Sequence, residues 1–393
     1  MKTKWTTCLP FIASTLLGLS LAVGSATAAN PHVLVTNDDV APTSPNSVSF
    51  YTIGSNGSLT LSQTVLTGGV GIGGGYFGMN RVNVLNGSSQ QCVYASDADT
   101  SDIVGIVVST ATVGGSATGS ATDTGLSNGI GLAMNSQYLY ASFSDSNTIG
   151  TFAVEPGCSL TFIADTTVAG LQSGVIDAMA VHGNILIATF GDGSIESFDI
   201  SGGTPVSNGD QQNSTGAVSA QGATYPTGID ITQDGHYAIF GDTSTAAVVE
   251  VSDISSGKLS QTVVYQSTAG INSSNIMLSP DETLLYIVDT QGDTVSASFF
   301  DPSTGKLSGG CVSGKLKNYV TDFSYLAGVA LENNTGNGGG IYVAEFGAPS
   351  SIAEIAVTSS GGKCTLKEAQ NSPVSDANSS GLLSIGVFPP RAF

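Results

Sequence analysis

Residues 275–310, NIMLSPDETLLYIVDTQGDTVSASFFDPSTGKLSGG, constrain the fold more than any other stretch. A short apolar run (276–278) leads into the turn Ser279-Pro280-Asp281-Glu282. A second apolar run (284–288) ends at Asp289 and a polar turn. Residues 294–300 alternate, Asp301-Pro302-Ser303-Thr304-Gly305 turns again, and Lys306-Leu307 opens a fourth run. Period-two alternation with Pro, Gly and Asp at the reversals marks antiparallel strands. Four short strands within fewer than ~50 residues are the signature of one β-propeller blade.

The second strand and the acid after it recur along the chain. Copies begin at residues 32 (HVLVTND), 92 (CVYASD), 138 (YLYASFSD), 185 (ILIATFGD), 237 (YAIFGD), 284 (LLYIVD) and 341 (IYVAEFG). The first copy lacks a preceding strand, and residues 382–387 (LLSIGV) follow the seventh copy with no other partner. Pairing them removes the exposed sheet edge that an open ring would leave. The expected fold is therefore all-β: a seven-bladed propeller of four-stranded antiparallel blades, closed by pairing the C-terminal strand with the N-terminal blade. Residues 111–124, mostly Gly, Ser, Ala and Thr, read as a surface loop inserted in the second copy.

Composition agrees. Charged residues make up only 10% of the 393, and Gly accounts for 51, as suits a turn-rich β protein. Lys2 and Lys4, the apolar run 9–23 and Ala26-Thr27-Ala28 read as a secretory signal over residues 1–28. The expected organisation is that signal followed by a single propeller domain over residues 29–393, in the extracellular or periplasmic space. No later run is long and apolar enough to span a membrane. Removing Lys2 and Lys4 takes the formal charge from −20 to −22. That balance disfavours nucleic acid and anionic membranes. It favours a neutral carbohydrate or a protein ligand, and a monomer.

Cys92, Cys158, Cys311 and Cys364 lie beyond the signal, and four cysteines allow three pairings. Cys158 and Cys364 occupy equivalent places in two repeats, which argues against pairing them. The expected bridges are Cys92–Cys158 and Cys311–Cys364, each linking neighbouring repeats.

Two motif matches dissolve in context. Residues 69–74 fit G-x-G-x-x-G but no helix follows to receive a phosphate. Residues 125–129 fit G-x-S-x-G but lead into another strand and not into the helix of a nucleophile elbow. His182 and His236 fall in turns between first and second strands, and His32 lies at the start of the mature chain. Asp38, Asp97 and Asp99 follow second strands of adjacent repeats; calcium is the cation that such oxygens suit. Capping of turn amides by the same aspartates is the structural alternative.

Residues 278–308 and the weaker copy 231–260 (ITQDGHYAIFGDTSTAAVVEVSDISSGKLS) resemble the lactonase-type seven-bladed propellers, a group that includes 6-phosphogluconolactonase and carboxymuconate cyclase relatives and YVTN-repeat proteins. The resemblance implies a site at the mouth of the central channel, with basic and histidine side chains opening the first strands. Here those slots read Ser274-Asn275 and Thr227-Gly228. Arg81 is the one arginine in the body of the chain, Arg391 lying near its end. Lactone opening needs a general base and a group that stabilises the developing oxyanion.

Two readings follow. One is a secreted, non-catalytic propeller that binds a ligand, a polymer or a protein at its channel mouth or loop face. The other is a secreted lactonase acting on a neutral sugar lactone, with or without a metal. Either way, the site is expected where first strands begin and second strands end. Its binding residues are expected to be Tyr76, Phe77, Arg81, Asn128, Asp177, Asn275 and Tyr325, with Asp38, Asp97 and Asp99 as the cation candidates.

Overall fold

Seven antiparallel sheets repeat one four-strand meander. The computed structural model describes residues 32–40, 44–72, 80–87, 90–109, 112–122, 129–143, 146–168, 176–213, 226–242, 248–260, 263–267, 273–290, 292–318, 320, 326–329, 340–347, 349–379, 384–388 and 390. Blade 1 runs outward from Ser384–Phe388 through Val33–Asn37 and Ser47–Ile53 to Leu59–Leu66. The inner strands of blades 2 to 7 are Val82–Asn86, Gly129–Met134, Ile176–His182, Pro226–Ile231, Ser273–Leu278 and Leu326–Val329. Each inner strand touches the next around a closed ring.

Second strands are buried along all or nearly all of their length, fully so in Ile185–Phe190 and Leu284–Asp289. They read as continuous apolar runs because neighbouring blades cover both faces. Outer strands are more exposed, and Leu160–Thr167 alternates because one face meets solvent. Apolar clusters fill the seams. Tyr140, Ile149, Leu186 and Phe198 pack between blades 3 and 4, and Leu34, Tyr51, Tyr342 and Ile352 between blades 7 and 1. Each fully buried Phe or Leu contributes about 1.5–3 kcal/mol.

The closure expected from the sequence is present. Ser384–Phe388 pairs antiparallel with Val33–Asn37, from Val33 opposite Phe388 to Asn37 opposite Ser384. Both expected disulfides are present too. Cys92–Cys158 joins blades 2 and 3, and Cys311–Cys364 joins blades 6 and 7. Gly105 lets the Cys158 turn seat, since a Cβ there would lie 1.8 Å from the Cys158 carbonyl oxygen.

One expectation fails. Within residues 111–124, Gly114–Thr122 is not a loop but the outer strand of blade 2, paired with Asp102–Ser109. Ladder pairing uses backbone groups, so a Gly/Ser/Ala strand forms without the apolar signal that reveals the others. Gln63 of blade 1 caps its edge: the side-chain amide donates to the Gly115 carbonyl and accepts its N–H, both at 3.1 Å.

Candidate functional site at the central channel

The inner strands of blades 3, 4, 5 and 6 slip register at their starts, between Gly129 and Gly131, Ile176 and Ala178, Pro226 and Gly228, and Ser273 and Ile276. Such bulges re-aim side chains and terminate pairing next to binding sites. Asp177, Thr227 and Asn275 sit at these slips. The strands enclose a cavity of about 250 Å³. Its polar wall is Asn80, Asn83, Thr227, Asp230 and Asn275; Met134, Met179, Met277 and Leu326 contribute apolar surface. Among the described residues, no Lys, Arg or His lines it.

Asp230 is the one acid in that wall. Its Oδ1 accepts the Ile231 N–H at 2.8 Å and its Oδ2 the Leu278 N–H at 2.7 Å, which ties blade 5 to blade 6. Asn83 Nδ2 donates to the Leu132 carbonyl at 2.7 Å, tying blade 2 to blade 3.

Of the residues expected at the site, Asn275 lines the cavity. Asp177 is fully buried at the start of its strand, and among the described residues neither carboxyl oxygen accepts a hydrogen bond. Burial, helped by the Asp192 charge, pushes it up to about 8, so it is held mainly neutral at pH 7. Arg81 lies outside the cavity wall, 3% exposed, in an ion pair with Asp39. Its backbone N–H donates to Ser384 Oγ at 3.1 Å and its carbonyl accepts from Asn37 Nδ2 at 3.1 Å. It therefore anchors the closing strand to blades 1 and 2. Tyr76, Phe77, Asn128 and Tyr325 lie outside the described residues.

The cation candidates occupy different surroundings. Asp38 accepts from Thr36 (2.5 Å), Ser47 (2.5 Å) and Ser49 (2.9 Å). Burial, with the nearby Asp376 charge, pushes it up to about 8. Asp376, from the segment that follows blade 7, accepts from Tyr51 at 2.8 Å and Thr36 at 3.3 Å. Asp97 accepts from Asn46 at 2.8 Å and Thr67 at 2.9 Å, and burial pushes it up to about 7. Asp99 is exposed. Among the described residues, no three His, Cys, Asp or Glu gather as a metal ion would require.

The equivalent rim position in blade 6 is Asp289, pushed up to about 6 by burial. In blade 7 it is Glu345, fully buried and also raised by burial. Sequence reading missed Glu345, although it stands in IYVAEF where Asp289 stands in LLYIVD. It also missed Asp376 and the cavity-lining Asn80, Asn83 and Asp230.

The family model for the lactonase, 7-bladed β-propeller matches residues 92–375. The chain belongs to that family. No curated protein matches the sequence. A functionally unknown protein from Desulfotomaculum acetoxidans shares the fold with TM-score 0.66 at 14% identity, over 91% of this chain and 99% of that one. A putative 6-phosphogluconolactonase from Bacteroides fragilis follows at TM-score 0.55 and 17% identity, over 72% and 80% of the two chains. The periplasmic gluconolactonase of Pseudomonas aeruginosa gives 0.55 and 13%, over 71% and 81%. At such identities these structures share the fold with this chain, and fold likeness does not carry chemistry.

Proposed function

We propose that this lactonase-family propeller is exported and binds a neutral, hydroxyl-rich carbohydrate in its central cavity without hydrolysing it. One observation carries the reading: the described cavity wall is neutral apart from Asp230, whose oxygens both accept backbone N–H groups. Arg81, the cation nearest in sequence to the channel mouth, is buried against Asp39. A phosphorylated or carboxylated sugar would have no cation there to meet it. Asparagine and threonine side chains, by contrast, match hydroxyl groups as both donors and acceptors. The two disulfides support export, as does the signal-like pattern of residues 1–28.

Calorimetry tests this by titrating the purified protein with galactose and with galactose 6-phosphate. Binding of the neutral sugar alone, abolished by Asn275→Trp, is expected; equal or tighter binding of the phosphate ester would sink the reading.

Asp177 favours a second reading, hydrolysis of a neutral sugar lactone. A buried carboxyl with a raised pKa and no hydrogen-bond partner has the character of a general acid or base. Asp177→Asn separates the two readings, because it abolishes turnover if Asp177 moves a proton and leaves binding intact if it does not.

A further inference from the structure

A second cavity, of about 320 Å³, lies in the seam between blades 7 and 1. Its walls include the turn Ser55-Asn56-Gly57, the second-strand residues Gly340 and Tyr342, and Glu354. The seam between blades 3 and 4 is built the same way. Tyr342 Oη donates to the Gly57 carbonyl at 2.7 Å, and Tyr140 Oη donates to the Gly203 carbonyl at 2.7 Å. Both glycines have positive φ, 87° and 92°. Gly340 lies two residues before Tyr342 and pairs with Ala356; Tyr138 lies two residues before Tyr140 and pairs with Ala153. Gly340 and Tyr138 are therefore equivalent.

At seam 3/4 the Tyr138 ring packs on Gly203, within 2.9 Å of where a Cβ would stand. At seam 5/6 the Tyr237 ring packs on Gly305 at the same 2.9 Å. At seam 7/1 the equivalent residue has no side chain, and the cavity occupies the place of the ring. The wall also differs opposite the tyrosine common to both seams. Opposite Tyr342 stands Glu354, where Thr151 stands opposite Tyr140. Glu354 Oε1 takes the Leu59 N–H at 2.7 Å, which holds the carboxyl in the cavity wall.

We propose that this cavity is a binding site for a small phenol, whose ring takes the place that Tyr138 and Tyr237 fill elsewhere and whose hydroxyl donates to Glu354. The glycine turn offers a flat backbone face to the ring. The buried carboxyl supplies a stronger acceptor than the Thr151 hydroxyl that stands at the same position of seam 3/4. At about 320 Å³ the space sits at the lower end of the range for small-molecule pockets. The site is separate from the central cavity and does not depend on its ligand.

The probe is p-cresol, the free counterpart of a tyrosine side chain, titrated into the full chain and followed by calorimetry and ligand-observed NMR. One equivalent should bind with a Kd on the order of 1 mM, as befits so small a ligand. Gly340→Tyr should weaken binding by roughly tenfold or more and raise Tm, whereas Asn275→Trp should leave binding unchanged. Tyr138→Gly should open a matching cavity at seam 3/4 and raise the stoichiometry, a readout that stands even if Gly340→Tyr does not fold. Absence of binding to the wild type, unchanged binding in Gly340→Tyr, or loss of binding in Asn275→Trp would each overturn the assignment.

Discussion

The central cavity and the seams around blade 1 treat charge in opposite ways. The described cavity wall holds asparagine, threonine and methionine, with Asp230 locked onto backbone amides. The seams around blade 1 hold the ion pair Arg81–Asp39, the carboxyls Asp38 and Asp376 with the hydroxyls of Thr36, Ser47, Ser49 and Tyr51, and Glu354 on Leu59. These groups lie where the two ends of the chain meet. Ring closure thus gathers ionisable groups, of which the described cavity wall holds Asp230 alone. The same fold serves both arrangements, so the family alone does not assign an activity.

The largest effect should come from breaking the closure. Arg81→Ala removes the cation paired with the buried Asp39 carboxylate, and loss of one partner of a buried pair costs about 3–5 kcal/mol. Denaturant unfolding should show that loss, while Asn275→Ala at the cavity should cost far less. An Arg81→Ala protein with wild-type stability would erase the contrast between the two regions.

Next comes Cys311→Ser with Cys364→Ser. The chain-entropy account gives about 4 kcal/mol for a loop this long, with measured values commonly lower. Reduced and oxidised protein compared by thermal melts should differ in the same direction.

The buried rim acids predict the pH dependence. In the folded state Asp38 and Asp177 are pushed up to about 8, Asp97 to about 7 and Asp289 to about 6, whereas the unfolded chain titrates near the ordinary aspartate value, about 3.9. A raised folded pKa means that the folded state holds more protons across the interval between the two values. Stability is then greatest below about pH 4 and falls as pH rises through about 8. Melting temperatures should decline from pH 5 to pH 9, with a shallower decline between pH 7 and 9 in Asp38→Asn. A melting temperature that rises across this range would contradict the assignment. The smallest stability effect, within about 0.5 kcal/mol, is expected for Asn275→Ala, which should nonetheless weaken carbohydrate binding severalfold by calorimetry.

Architecture was legible because each blade repeats the same pattern in the sequence. LLYIVD, DPSTG and the leucine after them mark strand, turn and strand wherever they recur, and LLSIGV had only one place to pair. The outer strand Gly114–Thr122 escaped because its order comes from the ladder and from Gln63, not from side-chain hydrophobicity. The site was less legible for a similar reason. Asn275 could be read from its repeat position. Arg81 looked available as a lone cation, and only the fold reveals Asp39 beside it. Asp376 and Asp38 are 338 residues apart, and Gly340 gains meaning only when Tyr138 is seen at the same place in another seam.

The central claim is that the neutral cavity binds a sugar without turning it over. Base uptake in a pH-stat, with galactono-1,4-lactone and the purified protein, tests it most directly when the same lactone is also titrated calorimetrically. Measurable binding is expected, with base uptake no faster than the protein-free control. Protein-dependent base uptake that Asp177→Asn abolishes would contradict it.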